Sequence, residues 1–207
     1  MNEIAAILNK TPLPGVSAHM QMAPSGRRPE LDKPVSDAVD SAVLLLLFNK
    51  DNQIHVTFIE RAEYDGIHSG QISFPGGKAE PADADFSQTA IRETIEETGV
   101  QLPVQIIGSL TDLYVPPSNF IIHPFVGYVS EIPVFMPDPD EVQSVFTVDL
   151  AWLASEKSGS EYRFFHRGKW LSAPCFMADT HIIWGATAMI LNEFLVHLRH
   201  HGFFKTN

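Results

Sequence analysis

The chain has 207 residues, 44% of them apolar, and a formal net charge of −11. That length and composition suit one domain with a sizeable core, and the acidic balance argues against nucleic acid or an anionic membrane as partner, since both want a basic footprint. It leaves an anionic small molecule open, because bound cations and a few Arg or Lys side chains offset such charge locally.

Cys175 is the only cysteine, so no intrachain disulfide can form and nothing points to an oxidising compartment. The first residues lack a long signal-type apolar core, and the longest apolar run, residues 42–48, is too short to span a bilayer. A cytoplasmic protein is the expectation.

Residues 1–37 carry Pro12, Pro14, Pro29 and Pro34 and little periodicity apart from a short helical pattern at 4–8. They read as an arm packed on the domain, residues 38–207, or on a neighbouring subunit of a homodimer. Residues 41–48 are a continuous apolar run of strand length, 49–52 a turn and 54–59 a second strand, together a hairpin. Then comes Arg61, followed by His68-Ser-Gly70-Gln71-Ile-Ser-Phe74-Pro-Gly76-Gly77.

Asp85 with Gln88 three residues on reads as a helix N-cap, and Gly99 as the C′ residue that stops the helix. At about 100° per residue, Glu93, Glu96 and Glu97 fall within an arc of roughly 100°, with Ile91 and Ile95 opposite. The expectation is an apolar face and a carboxylate face. Stacked like charges at i,i+3 and i,i+4 cost a few tenths of a kcal/mol each, so structure alone gives no reason to gather them. A divalent cation reverses the sign, since Mg²⁺ or Mn²⁺ prefers hard oxygen ligands. Gly76 and Gly77, lacking Cβ, let the backbone turn sharply beside the same ion.

Further on, residues 104–110 and 121–129 read as strands, separated by a proline loop at 114–120. Asn119 and Phe120 in that loop supply an amide and an aromatic ring suited to a base. An acidic segment with Glu141 precedes a strand at 144–148, residues 162–169 read as a hairpin around Arg167-Gly168, and a helical stripe runs through Ile183, Thr187, Ile190, Leu191, Phe194, Leu195 and Leu198. The basic residues His197, Arg199, His200 and His201 near its end complement the helix dipole. Strands interleaved with helices give an α/β domain with a mixed sheet between helical layers.

The run Gly76-Gly77 followed by Arg92-Glu93-x-x-Glu96-Glu97-x-Gly99 resembles the Nudix box, the signature of hydrolases acting on a nucleoside diphosphate linked to another group. In the usual box Arg comes fourteen residues after the second Gly; here it comes fifteen after, with Asp83 where the first Glu normally stands. This longer form resembles the box of the coenzyme A pyrophosphatases, Phe-Pro-Gly-Gly-x-x-Asp-x-x-Asp, with Glu80 replacing the first Asp. Arg61, Gly70, Ile72 and Phe74 match that group's upstream run, as His68 and Gln71 match its His-x-Gly-Gln form; Gly66 and Ala62 depart from it.

The resemblance implies a Nudix-type α/β/α sandwich and water attack on a diphosphate. It implies Glu93, Glu96, Glu97 and the Gly77 carbonyl as ligands of Mg²⁺ or Mn²⁺, and Arg92 holding a glutamate through a two-point pair. It makes Arg61, Gly70, Gln71, Phe74 and Asn119 candidates for contacting the nucleotide. The general base stays open among Glu93, Glu96 and Glu141. Coenzyme A is the first substrate expectation, another nucleoside diphosphate derivative the second, and a non-catalytic binding module the third.

Overall fold

A computed structural model describes residues 1–29, 32–62, 70–166 and 168–204. The apolar run lies within β1 (Val39–Lys50), where Leu44, Leu45, Leu46 and Leu47 are all fully buried. The run is continuous because each face of the strand meets a core. Ala42, Leu44, Leu46 and Phe48 pack on one side with Ala90, while Leu45 and Leu47 join a larger cluster on the other. β1 is also parallel to β7 (Phe120–Tyr128), and parallel strands covered on both faces read this way.

The expected hairpin forms. Asp51 and Asn52 take positive φ (51° and 62°) and connect β1 to β2 (Gln53–Arg61), the backbone that matches a two-residue turn to strand twist. β1 and β2 pair only near that turn, from Leu47↔Val56 to Lys50↔Gln53. Beyond it they splay, and the wedge is filled by β3 (Ile72–Ser73) on β2 and β4 (Gly76–Lys78) on β1. The glycine run is thus inserted into the middle of the sheet. Gly76, at φ 152°, has no room for a Cβ, which would collide with the Ala42 carbonyl and Val43 Cα.

Antiparallel to β7 lie β5 (Gln105–Ser109) and β6 (Leu113–Val115), and β8 (Val142–Asp149) pairs with the far side of β2. β6 extends into the stretch 114–120 expected to be loop, and β7 takes its last residue, Phe120. The turn that follows, not the whole segment, is what its prolines enforce.

On one face of this mixed sheet sits α3 (Phe86–Thr98). On the other sit α1 (Asn2–Leu8), α2 (Val16–Gln21) and α5 (Gly185–His200). The layers are those of an α/β/α sandwich. Ile4, Ile7 and Leu8 share the α5 core. A buried carboxylate, Glu193, fastens α2 to α5: it accepts from the Gly15 amide (3.0 Å) and the Thr111 hydroxyl (2.6 Å) and meets His19 Nε2 at 3.0 Å, so its lone pairs are satisfied as a buried charge requires.

After a short helix, α4 (Leu150–Leu153), a second, three-stranded sheet is built from β9 (Gly159–His166), β10 (Lys169–Ala178) and β11 (His181–Ile183). The hairpin is longer than expected, and Arg167 lies outside the described residues. The last helix starts later than its apolar stripe suggests, since Ile183 pairs with Phe176 as a strand while still filling the α5 core. Near the end of α5, His197 is buried and its Nε2 meets the Ile7 carbonyl at 2.9 Å. Its role is to hold α1 rather than simply to complement the dipole.

Candidate active site

α3 begins and ends where its local chemistry dictates. The Asp85 carboxylate accepts from the Gln88 amide at 3.1 Å, and Gly99 closes the helix in the left-handed region. Which face is buried is another matter. The buried positions are Thr89, Ala90, Thr94, Glu97 and Thr98, whereas Ile95 is 42% exposed. The expected division into an apolar Ile91–Ile95 face and a carboxylate face is therefore not the division between buried and exposed: small and threonine side chains let α3 lie close to β1, and Thr94 and Thr98 satisfy their hydroxyls on the carbonyls four residues back.

The carboxylates therefore occupy three different environments. Glu97 is 1% exposed; its Oε2 accepts from the Gly76 amide at 2.7 Å and its Oε1 from Arg61 Nη1 at 3.2 Å. Burial pushes its carboxyl up to about 7, with the Gly76 amide and Arg61 opposing and the charges of Glu93 and Glu141 adding to the rise. Glu93 rests on the backbone of β4, where a Cβ on Gly77 would overlap its carboxyl group. Burial raises its pKa too, and Glu96 and Glu141 add to that against the pull of Arg92. Glu96 is the outermost, its side chain 53% exposed.

Arg92 is expected to clamp a glutamate at two points; its two-point partner is Asp83. Nε reaches Oδ1 and Nη2 reaches Oδ2, both at 3.0 Å, while Nη1 touches Glu93 (2.9 Å) and Glu96 (3.0 Å). Nη2 also donates to the Lys78 carbonyl. Asp83 in turn accepts from the Glu80 amide and the Thr89 hydroxyl. These bonds, led by those of Arg92, hold its carboxyl well below the usual range. The lengthened loop is thereby tied to β4 and to α3.

Glu141 comes from outside the helix. The Ala62 amide donates to its carbonyl at 3.0 Å, and its charge is felt by both Glu93 and Glu97. Gly70 and Gln71 line a separate cavity with Glu60 and Ile72. One candidate, Phe74, is corrected, and Asn119 has its amide engaged within the fold. Phe74 is 2% exposed and stacked on Phe58 with centroids 5.0 Å apart, a core side chain. Asn119, at φ 57°, accepts from the Tyr114 hydroxyl and donates to the Asp37 carbonyl, so its amide braces a turn. Gly66 and His68 lie outside the described residues. A larger cleft of about 470 Å³ follows the Ile91–Ile95 side of α3, but its walls do not include Glu93, Glu97 or Gly77.

A model of the NUDIX domain matches residues 39–167. The chain belongs to the NUDIX family. The Nudix box of the family is the segment from Gly76 to Gly99, and α3 is its helix. Among curated proteins the chain is 36% identical to the human mitochondrial coenzyme A diphosphatase NUDT8 over 136 residues, 64% of this chain and 57% of that protein. It is 32% identical to the mouse protein of the same name, covering 68% of each. The chain thus spans little more than half the length of the human relative. The fold is that of a MutT/nudix family protein from Enterococcus faecalis, with a TM-score of 0.55, 15% identity and coverage of 96% of this chain and 74% of that one.

The donor set around the Nudix helix suits a divalent cation in its chemistry. The charges of Glu96 and Glu141 raise the proton affinity of Glu93, and those of Glu93 and Glu141 raise that of Glu97, the repulsion a hard cation relieves; Gly77 leaves its backbone open against Glu93. As they stand, among the described residues no three His, Cys, Asp or Glu side chains are grouped to hold an ion, and Arg92 engages both Glu93 and Glu96.

The Asp83–Arg92 pair has no signal of its own in the sequence, where Asp83 stands out only as a departure from the usual box. Of the rings that face Gln71 across its cavity, Tyr162 and His181 carry no spacing signal, and Trp184 stands out only through Trp184-Gly185, a pair similar to one in the family.

Proposed function

We propose that the protein hydrolyses the diphosphate bond of coenzyme A or its thioesters, with Mg²⁺ or Mn²⁺, releasing 4′-phosphopantetheine, or its acyl form, and adenosine 3′,5′-bisphosphate. The observation that carries the hydrolytic reading is Glu97, a carboxylate buried between the Gly76 amide and Arg61 beside the partly buried Glu93. Burying such charge is costly unless it is paired, and a site serving only structure would not gather further acids around it. The coenzyme A part rests on the run Arg61 to Gly77 and on the named activity of the NUDT8 relatives.

In this reading Glu93, Glu97 and the Gly77 carbonyl would hold the principal ion, and Glu96 would ligate a further ion or act through water. When bound, the ion neutralises the diphosphate and acidifies water. Arg92, fixed by Asp83, keeps Glu93 against β4, and Arg61 keeps Glu97 from turning away. Water attacks one phosphorus, losing its proton to one of Glu93, Glu96 or Glu141, and as the new P–O bond forms, the bond to the bridging oxygen breaks and the other phosphate leaves with that oxygen. Chemistry of this kind depends on positioning and charge more than on covalent participation.

The test is incubation with coenzyme A and either cation, with products separated by chromatography. Appearance of the two named products supports the reading. No cleavage of coenzyme A, alongside turnover of another nucleoside diphosphate compound, replaces it with the broader hydrolase.

A further inference from the structure

A cavity of about 320 Å³ opens where the wedge of the main sheet meets the second sheet; small-molecule sites run to roughly 300–1,000 Å³. One wall is Glu60, Gly70, Gln71 and Ile72, the strand run leading into the Nudix box. The other is Tyr162, His181 and Trp184. The second wall is an accessory to the catalytic core, since His181 and Trp184 lie beyond residues 39–167.

Its rings are held in place from behind. Trp184 packs at 4.7 Å on Phe164 and 5.1 Å on Tyr162, and His181 stacks on Phe146 at 3.9 Å and 9°. Thr187 at the start of α5 donates to the Ile72 carbonyl at 3.0 Å and locks the two walls together. The cavity is therefore preformed, which lowers the ordering cost of binding. It also adjoins the catalytic carboxylates through a single residue: the Arg61 amide donates to the Gln71 carbonyl (3.2 Å) while its guanidinium reaches Glu97.

We propose that this cavity seats the adenine ring of the substrate, with Tyr162 and Trp184 against the ring and Glu60 accepting from its exocyclic amine. Aromatic walls suit a flat heterocycle, because every base offers a π-face. A carboxylate in the same cavity selects a base that presents an N–H donor and disfavours a phosphate or a carbonyl edge. Glu60 is steadied by the Ser144 hydroxyl at 2.9 Å.

The inference rests on the hydrolase reading for its substrate but is tested by binding alone. AMP and IMP, which differ in having an amine or a carbonyl at the base edge, are titrated calorimetrically in Mg²⁺ onto the full chain and three variants, each checked by thermal melting. The unaltered protein should bind AMP roughly tenfold more tightly than IMP, the worth of about one well-made hydrogen bond. Glu60→Gln, which can both accept and donate, should bring the two within about twofold. Tyr162→Leu and Trp184→Leu should weaken both nucleotides by roughly tenfold or more, and leave 4′-phosphopantetheine binding unchanged. If one leucine variant fails to fold, the other and Glu60→Gln decide. Equal binding of AMP and IMP by the unaltered protein overturns the proposal, as does a loss confined to 4′-phosphopantetheine. If no diphosphate is cleaved while the nucleotide pattern holds, the hydrolase reading falls and the base site stands.

Discussion

Asp83 and Arg92 face each other across the loop and the helix of the Nudix box in a two-point pair, 3.0 Å at each contact. The aspartate is what aims the guanidinium: with Nε and Nη2 committed to Asp83, only Nη1 is directed at Glu93 and Glu96. A planar fork fixed at one edge has little freedom at the other. Replacing Asp83 with Ala should therefore lower turnover by roughly 10–100-fold, as loss of an orienting partner commonly does. The fold should survive, because Asp85 still caps α3. Steady-state rates with circular dichroism check both halves of this expectation.

Glu97 is a stronger test of the metal assignment. Glu97→Gln retains an oxygen for the Gly76 amide but removes the charge, so turnover should fall by about 10²-fold or more, corresponding to about 3 kcal/mol of lost charge stabilisation. Undiminished hydrolysis would refute its role.

The same residue predicts how stability depends on pH. Its folded carboxyl sits near 7, above the usual 4.5, so the folded protein keeps a proton that the unfolded chain has already released. The contribution of Glu97 to the stability of the metal-free protein should be complete below about 4.5 and be lost as pH rises through 7, by on the order of 3 kcal/mol for a shift of this size. Glu93, also raised, adds in the same direction. Urea denaturation in a chelator at pH 5 and pH 8 measures the fall. Glu97→Gln should largely flatten it, and Mg²⁺ at pH 8 should restore stability by binding the folded form.

Gly77 carries a steric prediction. A methyl group there would overlap the Glu93 carboxyl, so Gly77→Ala should push that carboxylate off β4 and weaken Mn²⁺ binding by roughly 10–100-fold. Calorimetric titration of the metal reads this directly. An unchanged affinity would mean that Glu93 does not bind the ion from this position.

Phe74 should behave as core. Stacked on Phe58 and 2% exposed, it should cost about 3–5 kcal/mol in global stability when changed to Ala. Phe74→Leu should recover most of that loss with the Michaelis constant unchanged, whereas a side chain touching the nucleotide would shift it.

The limits of the Nudix helix, its capping aspartate, its closing glycine and the spacing of its acids were all legible in the sequence, because each depends on neighbours within a few positions. So was the double-sided burial of β1, since a strand with two apolar faces leaves an unbroken apolar run. What tertiary structure alone decided was where the charge and the rings ended up. Glu97 became the buried acid and Glu96 the exposed one because Thr94 and Ala90, rather than Ile91 and Ile95, were set against β1. Phe74 turned inward because it links the two short strands, β3 and β4, that fill the wedge between β1 and β2, and Tyr162 and Trp184 came to line one cavity with Gln71 only because a second sheet folds back on the first. Local hydrogen bonding is written in adjacent residues; burial and pairing are settled by segments a hundred positions apart.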